Sequence, residues 1–178
     1  MGIYDRDYVR YDGGGRQYSI GAGFRSMPPV VKWLLIINFA VYIIAVLTFK
    51  SLGHYFYEYG AVYPTSWLNI IEVWRLITYQ FLHDPSEVFH LVFNLIVLYF
   101  FGPILELQLG SKRFLKFYLA AGAAGGIVYT LLVLMHLLDP VLMIGASGAI
   151  YGVVAAIAVM FPRLRVLLWG IIPMTIIW

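Results

Sequence analysis

Three polar residues stand out in apolar surroundings: Ser147 in the run Gly145-Ala146-Ser147-Gly148-Ala149-Ile150-Tyr151-Gly152, and His90 and Asn94 in Val88-Phe89-His90-Leu91-Val92-Phe93-Asn94. Their types fit acyl transfer. A serine hydroxyl attacks a carbonyl once a base takes its proton, and His and Asn donors can hold the resulting oxyanion together with the backbone N–H at the serine. His90 and Asn94 stand at i and i+4, so a helix carries both on one face. Each residue also has a plainer reading. Polar groups inside a membrane act as interhelical glue, and a serine in a glycine-rich helix commonly bonds its own backbone. The run around Ser147 is not the nucleophile elbow of soluble hydrolases, because its context is apolar and helical, with no strand before it. No general base completes the set.

The elements that would position these residues are membrane spans. The chain has 178 residues, 62% hydrophobic and 12% charged, with a mean hydropathy of +0.83, which is far from the balance of a soluble domain. Without cysteine it is no disulfide scaffold. Its net charge of +3 is scattered between apolar runs rather than gathered into a basic, aromatic-laced patch, so nucleic acid is not an expected partner. Residues 1–27 read as a flexible polar tail, and 28–178 as a membrane domain. Four runs are long enough to span: Val30–Phe49, Val88–Leu105, Phe117–Leu138 and Pro140–Phe161. A fifth, Val166–Trp178, covers only about 20 Å and reads as a truncated span. The expected fold is an all-α polytopic membrane bundle of four full spans plus this incomplete fifth.

Orientation follows from the cations. Arg6, Arg10, Arg16, Arg25 and Lys32 precede or open the first span, and Lys112, Arg113 and Lys116 lie between the second and third. Arg163 and Arg165 follow the fourth, whereas the first loop holds only Lys50 and Arg75, and the third loop holds none. The alternation puts the amino terminus in the cytoplasm and the first and third loops outside. The second and fourth spans then both start at the outer surface, so His90, Asn94 and Ser147 can meet at one depth. The first loop, rich in Tyr, Phe and Trp, suits a partly inserted interfacial structure: either a simple aromatic anchor or a gate beside a site.

Together these residues resemble the rhomboid family of intramembrane serine proteases: Trp74-Arg75, His83, His90-x-x-x-Asn94, Gly102, Glu106, and Gly145-x-Ser147-Gly148 with Tyr151. The resemblance covers about residues 30–178. It implies a six-helix bundle in a prokaryotic cytoplasmic membrane that cleaves single-pass transmembrane substrates near the outer surface, without metal or other cofactor. It further implies Ser147 as nucleophile, His90 and Asn94 as oxyanion donors, and Gly145 and Gly148 as shapers of the serine's surroundings. Tyr151 would be the ring against which a catalytic histidine packs. Trp74, Arg75 and Glu106 would be structural, Arg75 holding the first loop and Glu106 the inner end of the second span with its following loop.

One departure matters. The family's base is a histidine on the sixth helix, and this chain ends within the fifth run. His136 is the only substitute worth weighing, because a base must come within about 3 Å of the hydroxyl. The 178 residues alone are therefore expected to be inert and poorly stable. The rival from another class is a non-proteolytic relative that binds membrane clients. A transporter fits less well, because Glu106 is the only acid near a span's interior and no intramembrane charge relay accompanies it.

Overall fold

In a computed structural model of the chain, residues 27–48, 54–64, 71–161, 165–168 and 172–175 are described. The segment read as a tail lies outside them except for Met27. The helices are α1 (Pro29–Thr48), α2 (His54–Gly60), α3 (Arg75–Thr78), α4 (Val88–Leu109), α5 (Ser111–Leu134) and α6 (Ser147–Met160), with a 3₁₀ turn at Tyr79–Phe81. Three of them, α1, α4 and α5, are long and apolar enough to cross a membrane.

The distribution of polarity is inside out. Asn38, Gln80, His83, Asn94 and Glu106 are buried, while Trp33, Phe39, Leu47, Phe89 and Phe93 stand exposed on the outer faces of α1 and α4. Apolar surface on that scale would be costly in water and suits lipid.

Glu106 ties three elements together at one end of the bundle. α1 opens on Pro29, whose missing N–H is no loss in a first turn. The next two amides, Val30 N–H and Val31 N–H, donate to the Glu106 carboxylate at 3.0 and 2.8 Å, and Ser111 Oγ donates to it at 2.7 Å. A carboxylate at a helix amino terminus satisfies orphan donors and the helix dipole together. The sequence places Glu106 at the end of its own span and the next loop; its bonds to α1 are the addition. Gly110, at φ +78, reverses the chain between α4 and α5.

Small residues set the seam between α5 and α6. A Cβ on Gly125 would lie 3.6 Å from Gly148 Cα, and one on Gly152 would meet Ala121 Cβ at 2.5 Å. Backbones approach this closely only where side chains are absent.

Three spans differ from the sequence reading, the third of them in its bounds alone, α5 running Ser111–Leu134 where Phe117–Leu138 is expected. The run Pro140–Phe161 is helical only from Ser147, so α6 has 14 residues and is about 21 Å long. Residues ahead of it are claimed by other partners: Val141 by the Tyr129 hydroxyl, Met143 by a two-way bridge with Val62, and the Gly145 N–H by the Tyr79 carbonyl. In the run Val166–Trp178, β1 (Arg165–Leu168) pairs antiparallel with β2 (Ile172–Thr175), Leu167 opposite Pro173, in place of helix. Pro173 lacks the N–H that a helix interior needs, and Val166 and Ile172 are β-branched, which favours extended backbone.

Candidate active site

The Val62–Met143 bridge fastens the first loop to the loop before α6, so both lie at one end of the bundle, opposite Glu106. Within the first loop, Arg75 grips its surroundings. Its guanidinium pairs with Glu72 at 2.8 and 3.2 Å and donates to the Glu58 and Ala61 carbonyls at 2.6 and 2.8 Å. Trp74 Nε1–H donates to the Tyr59 carbonyl at 3.1 Å. These bonds join α2 to α3 and fix where the following 3₁₀ turn emerges.

That turn supports the serine. The Tyr79 carbonyl accepts from Gly145 N–H at 2.9 Å, and its hydroxyl donates to the Gly122 carbonyl at 2.6 Å. Burial pushes the Tyr79 hydroxyl up to about 12, so it stays a donor at any physiological pH. A Cβ on Gly148 would lie 3.0 Å from this hydroxyl, and Gly125 Cα faces Gly148 from α5. Gly125 is about 14 Å along α5 from its carboxyl end at Leu134. The first turn of α6 thus begins well below the end of its neighbour.

Gly145 brings the sequence candidates together. It has φ +110, and a Cβ there would lie 2.8 Å from His90 Cε1, 3.0 Å from His90 Nε2 and 3.7 Å from Asn94 Nδ2. Only glycine leaves room for the His90 ring and this backbone conformation at this point. Two residues on, Ser147 opens α6, half-buried, and its Oγ makes no hydrogen bond among the described residues. The amides of a helix's first turn have no intrahelical acceptor. His90 and Asn94 therefore stand against Gly145, two residues before the Ser147 that opens α6.

Tyr151 lies one turn beyond Ser147 and is 76% exposed. With Ala155 and Val159 it extends from Ser147 an uncovered stripe down α6, so among the described residues nothing packs on its ring. His136 is exposed and makes no hydrogen bond to Ser147. It occupies the left-handed position that ends α5, with φ 59, His136 N–H bonding the Val133 carbonyl and Leu137 N–H the Leu132 carbonyl. That is a helix-terminating role usually taken by glycine.

His83 stands in the sequence reading as a motif residue without a role, and the structure places it in the cluster. It is buried, its Nε2 lies 3.0 Å from Asn94 Nδ2, and its ring meets that of His90 edge to face at 5.4 Å. Burial, with His90 alongside, pushes its pKa down from 6.5 to about 4. A histidine that folds neutral but unfolds into water stabilises the fold fully above pH 6.5 and loses that contribution as pH falls toward 4. Stability should drop by on the order of 3 kcal/mol across that window. Thermal unfolding in micelles at stepped pH measures it, and His83→Gln should flatten the dependence.

Comparison with known proteins bears on this arrangement. Residues 71–178, more than half the chain, match the Rhomboid domain. The chain is 41% identical over 86 residues to Rhomboid protease GluP of Bacillus subtilis, covering 48% of this chain and 15% of that protein. It is 29% identical over 137 residues to Rhomboid-like protease 3 of Toxoplasma gondii, covering 72% and 47%. To Putative rhomboid protease YdcA of Bacillus subtilis it is 40% identical over 83 residues, covering 46% and 38%. The chain thus spans less than half the length of each of these relatives. A bundle built for lipid, and a family match across the first-loop motif and α4 to α6, lead to one assignment: this is a multi-span membrane protein of the rhomboid family.

Proposed function

We propose that the protein is an intramembrane serine endopeptidase cutting single-pass transmembrane substrates. Ser147 attacks the scissile carbonyl carbon; His90, Asn94 and the first-turn amides of α6 receive the oxyanion. The observation that carries this reading is the bare Gly145, which lets two side-chain donors reach the turn bearing a free serine. The proton of Ser147 has no acceptor within the described residues. The base is assigned to an element covering the open Ser147–Tyr151–Ala155 stripe, where Tyr151 offers a ring to pack on. Because α6 begins below the end of α5, a substrate helix has to unwind locally to expose its peptide bond, so Gly or Pro near the cleavage point should help.

The proposed membrane is a prokaryotic cytoplasmic one, and the alternation of Lys and Arg along the chain supports an amino terminus inside and a site toward the outer face. Reporter fusions after Gly2 and near Lys112 should read cytoplasmic, and fusions near Gly60 and Asp139 external. The reverse pattern would move the site to the inner surface.

In the full-length protein, reconstituted with a transmembrane substrate, cleavage should occur and Ser147→Ala should abolish it. Undiminished cleavage by Ser147→Ala would remove the nucleophile assignment. The second reading, a non-proteolytic relative that holds membrane clients, is favoured by the lack, among the described residues, of a base to take the Ser147 proton. It predicts client binding that survives Ser147→Ala and no cleavage in either protein.

A further inference from the structure

The geometry points to His83 as a positioning residue that sets which face of the Asn94 amide is turned to the candidate oxyanion site; this rests on the reading of Asn94 as an oxyanion donor. Asn94 has one side chain and two opposite faces. Its Nδ2 lies 3.0 Å from His83 Nε2, and the same nitrogen is 3.7 Å from where a Cβ on Gly145 would stand. With a lone pair on His83 Nε2, one Asn94 N–H is spent on the ring and the other remains for the site. With a proton on Nε2, the amide has to turn its oxygen to the ring. It then brings a carbonyl oxygen, not a donor, to the side where negative charge develops.

The surroundings favour the first state. His83 is 1% exposed, held by its backbone, whose carbonyl accepts from the Tyr57 hydroxyl at 2.8 Å. Its Nδ1 lies beside the Phe81 carbonyl without completing a hydrogen bond, which leaves Nδ1 the natural seat of the proton. The titratable groups facing it are His90 on α4, Tyr57 on α2 and Tyr42 on α1, whose hydroxyl donates to the Pro85 carbonyl at 3.2 Å, with Asp84 next in the chain. His90 opposes a positive ring at His83, and burial does so more strongly, which agrees with a neutral ring down to about pH 4. Interposing a neutral imidazole to orient a catalytic amide is the kind of outer support that active groups elsewhere depend on.

Two measurements on the full-length protein decide it. In ¹⁵N-histidine spectra, His83 should show a proton on Nδ1 and none on Nε2 from pH 8 to about 5, and Asn94→Ala should move its Nε2 signal while Ser147→Ala leaves it in place. In cleavage assays, His83→Phe, which keeps a ring but offers no acceptor, should lower kcat by about 10- to 100-fold with KM unchanged, and His83→Gln, whose Oε1 can accept, should recover most of it. In the Asn94→Ala background, His83→Phe should add nothing, because the two act as one unit. A proton on Nε2, or a His83→Phe loss that persists undiminished in the Asn94→Ala protein, would overturn the inference. Cleavage by Ser147→Ala would instead overturn the proposed reaction, and the spectra would then judge the His83–Asn94 pairing alone.

Discussion

Replacing Gly145 by alanine is expected to cut turnover by roughly 100- to 1000-fold, the cost of losing an oxyanion donor. The methyl group would need to stand 2.8 Å from His90 Cε1 and 3.0 Å from Nε2, closer than nonbonded atoms tolerate, at a backbone φ of +110 that side chains resist. The His90 ring is the part that can yield, and displacing a proposed oxyanion donor by even about 1 Å would be costly. His90→Ala and Asn94→Ala each remove a donor outright and should each cost on the order of 2–4 kcal/mol of transition-state stabilisation. Steady-state cleavage of a transmembrane substrate by folded protein measures all three. An unaffected kcat in Gly145→Ala would separate His90 from the chemistry.

The second large effect lies at the opposite end of the bundle. Glu106→Ala should destabilise the fold by roughly 3–5 kcal/mol, because it leaves two amides of α1 and the Ser111 hydroxyl without their acceptor in a buried place. Glu106→Gln keeps one acceptor oxygen and should cost less. Thermal unfolding in mild detergent reads the difference, and kcat per folded molecule should be unchanged in both, since Glu106 touches nothing near Ser147. Equal stabilities of the alanine variant and the parent would show that α1 finds another cap.

The parts of this molecule legible from sequence are those fixed by local spacing. His90 and Asn94 share a face because a helix repeats near four residues, and α1 and α4 differ from their predicted spans only at the ends. Hydropathy reads length poorly where distant partners intervene. Pro140–Phe161 is apolar throughout, yet Tyr129, Val62 and Tyr79 take the hydrogen-bonding groups of Val141, Met143 and Gly145, and helix starts only at Ser147. Neither His83, quoted as a motif residue, nor Tyr79 carries a local signal of the contacts it makes. Both lie in a loop whose course depends on Arg75 joining segments that are separated along the chain, and only the folded arrangement brings His83 to Asn94 and Tyr79 to Gly145. A histidine five residues before α4 cannot be assigned to its face by periodicity. The antiparallel pair at Arg165–Leu168 and Ile172–Thr175 was masked by composition, since an apolar run with one proline reads equally as span or strand.

The most direct test of the account is whether Ser147 is a nucleophile. Full-length protein in micelles should react with a serine-directed fluorophosphonate, and peptide mass spectrometry should place the adduct on Ser147 and on no other serine. The reaction should slow by about 100-fold in Asn94→Ala if the amide stabilises the phosphonyl oxygen as it would an oxyanion. An adduct on a different serine, or no adduct at Ser147 in protein that is folded by its unfolding transition, would contradict the proposed protease and leave the client-binding reading in its place.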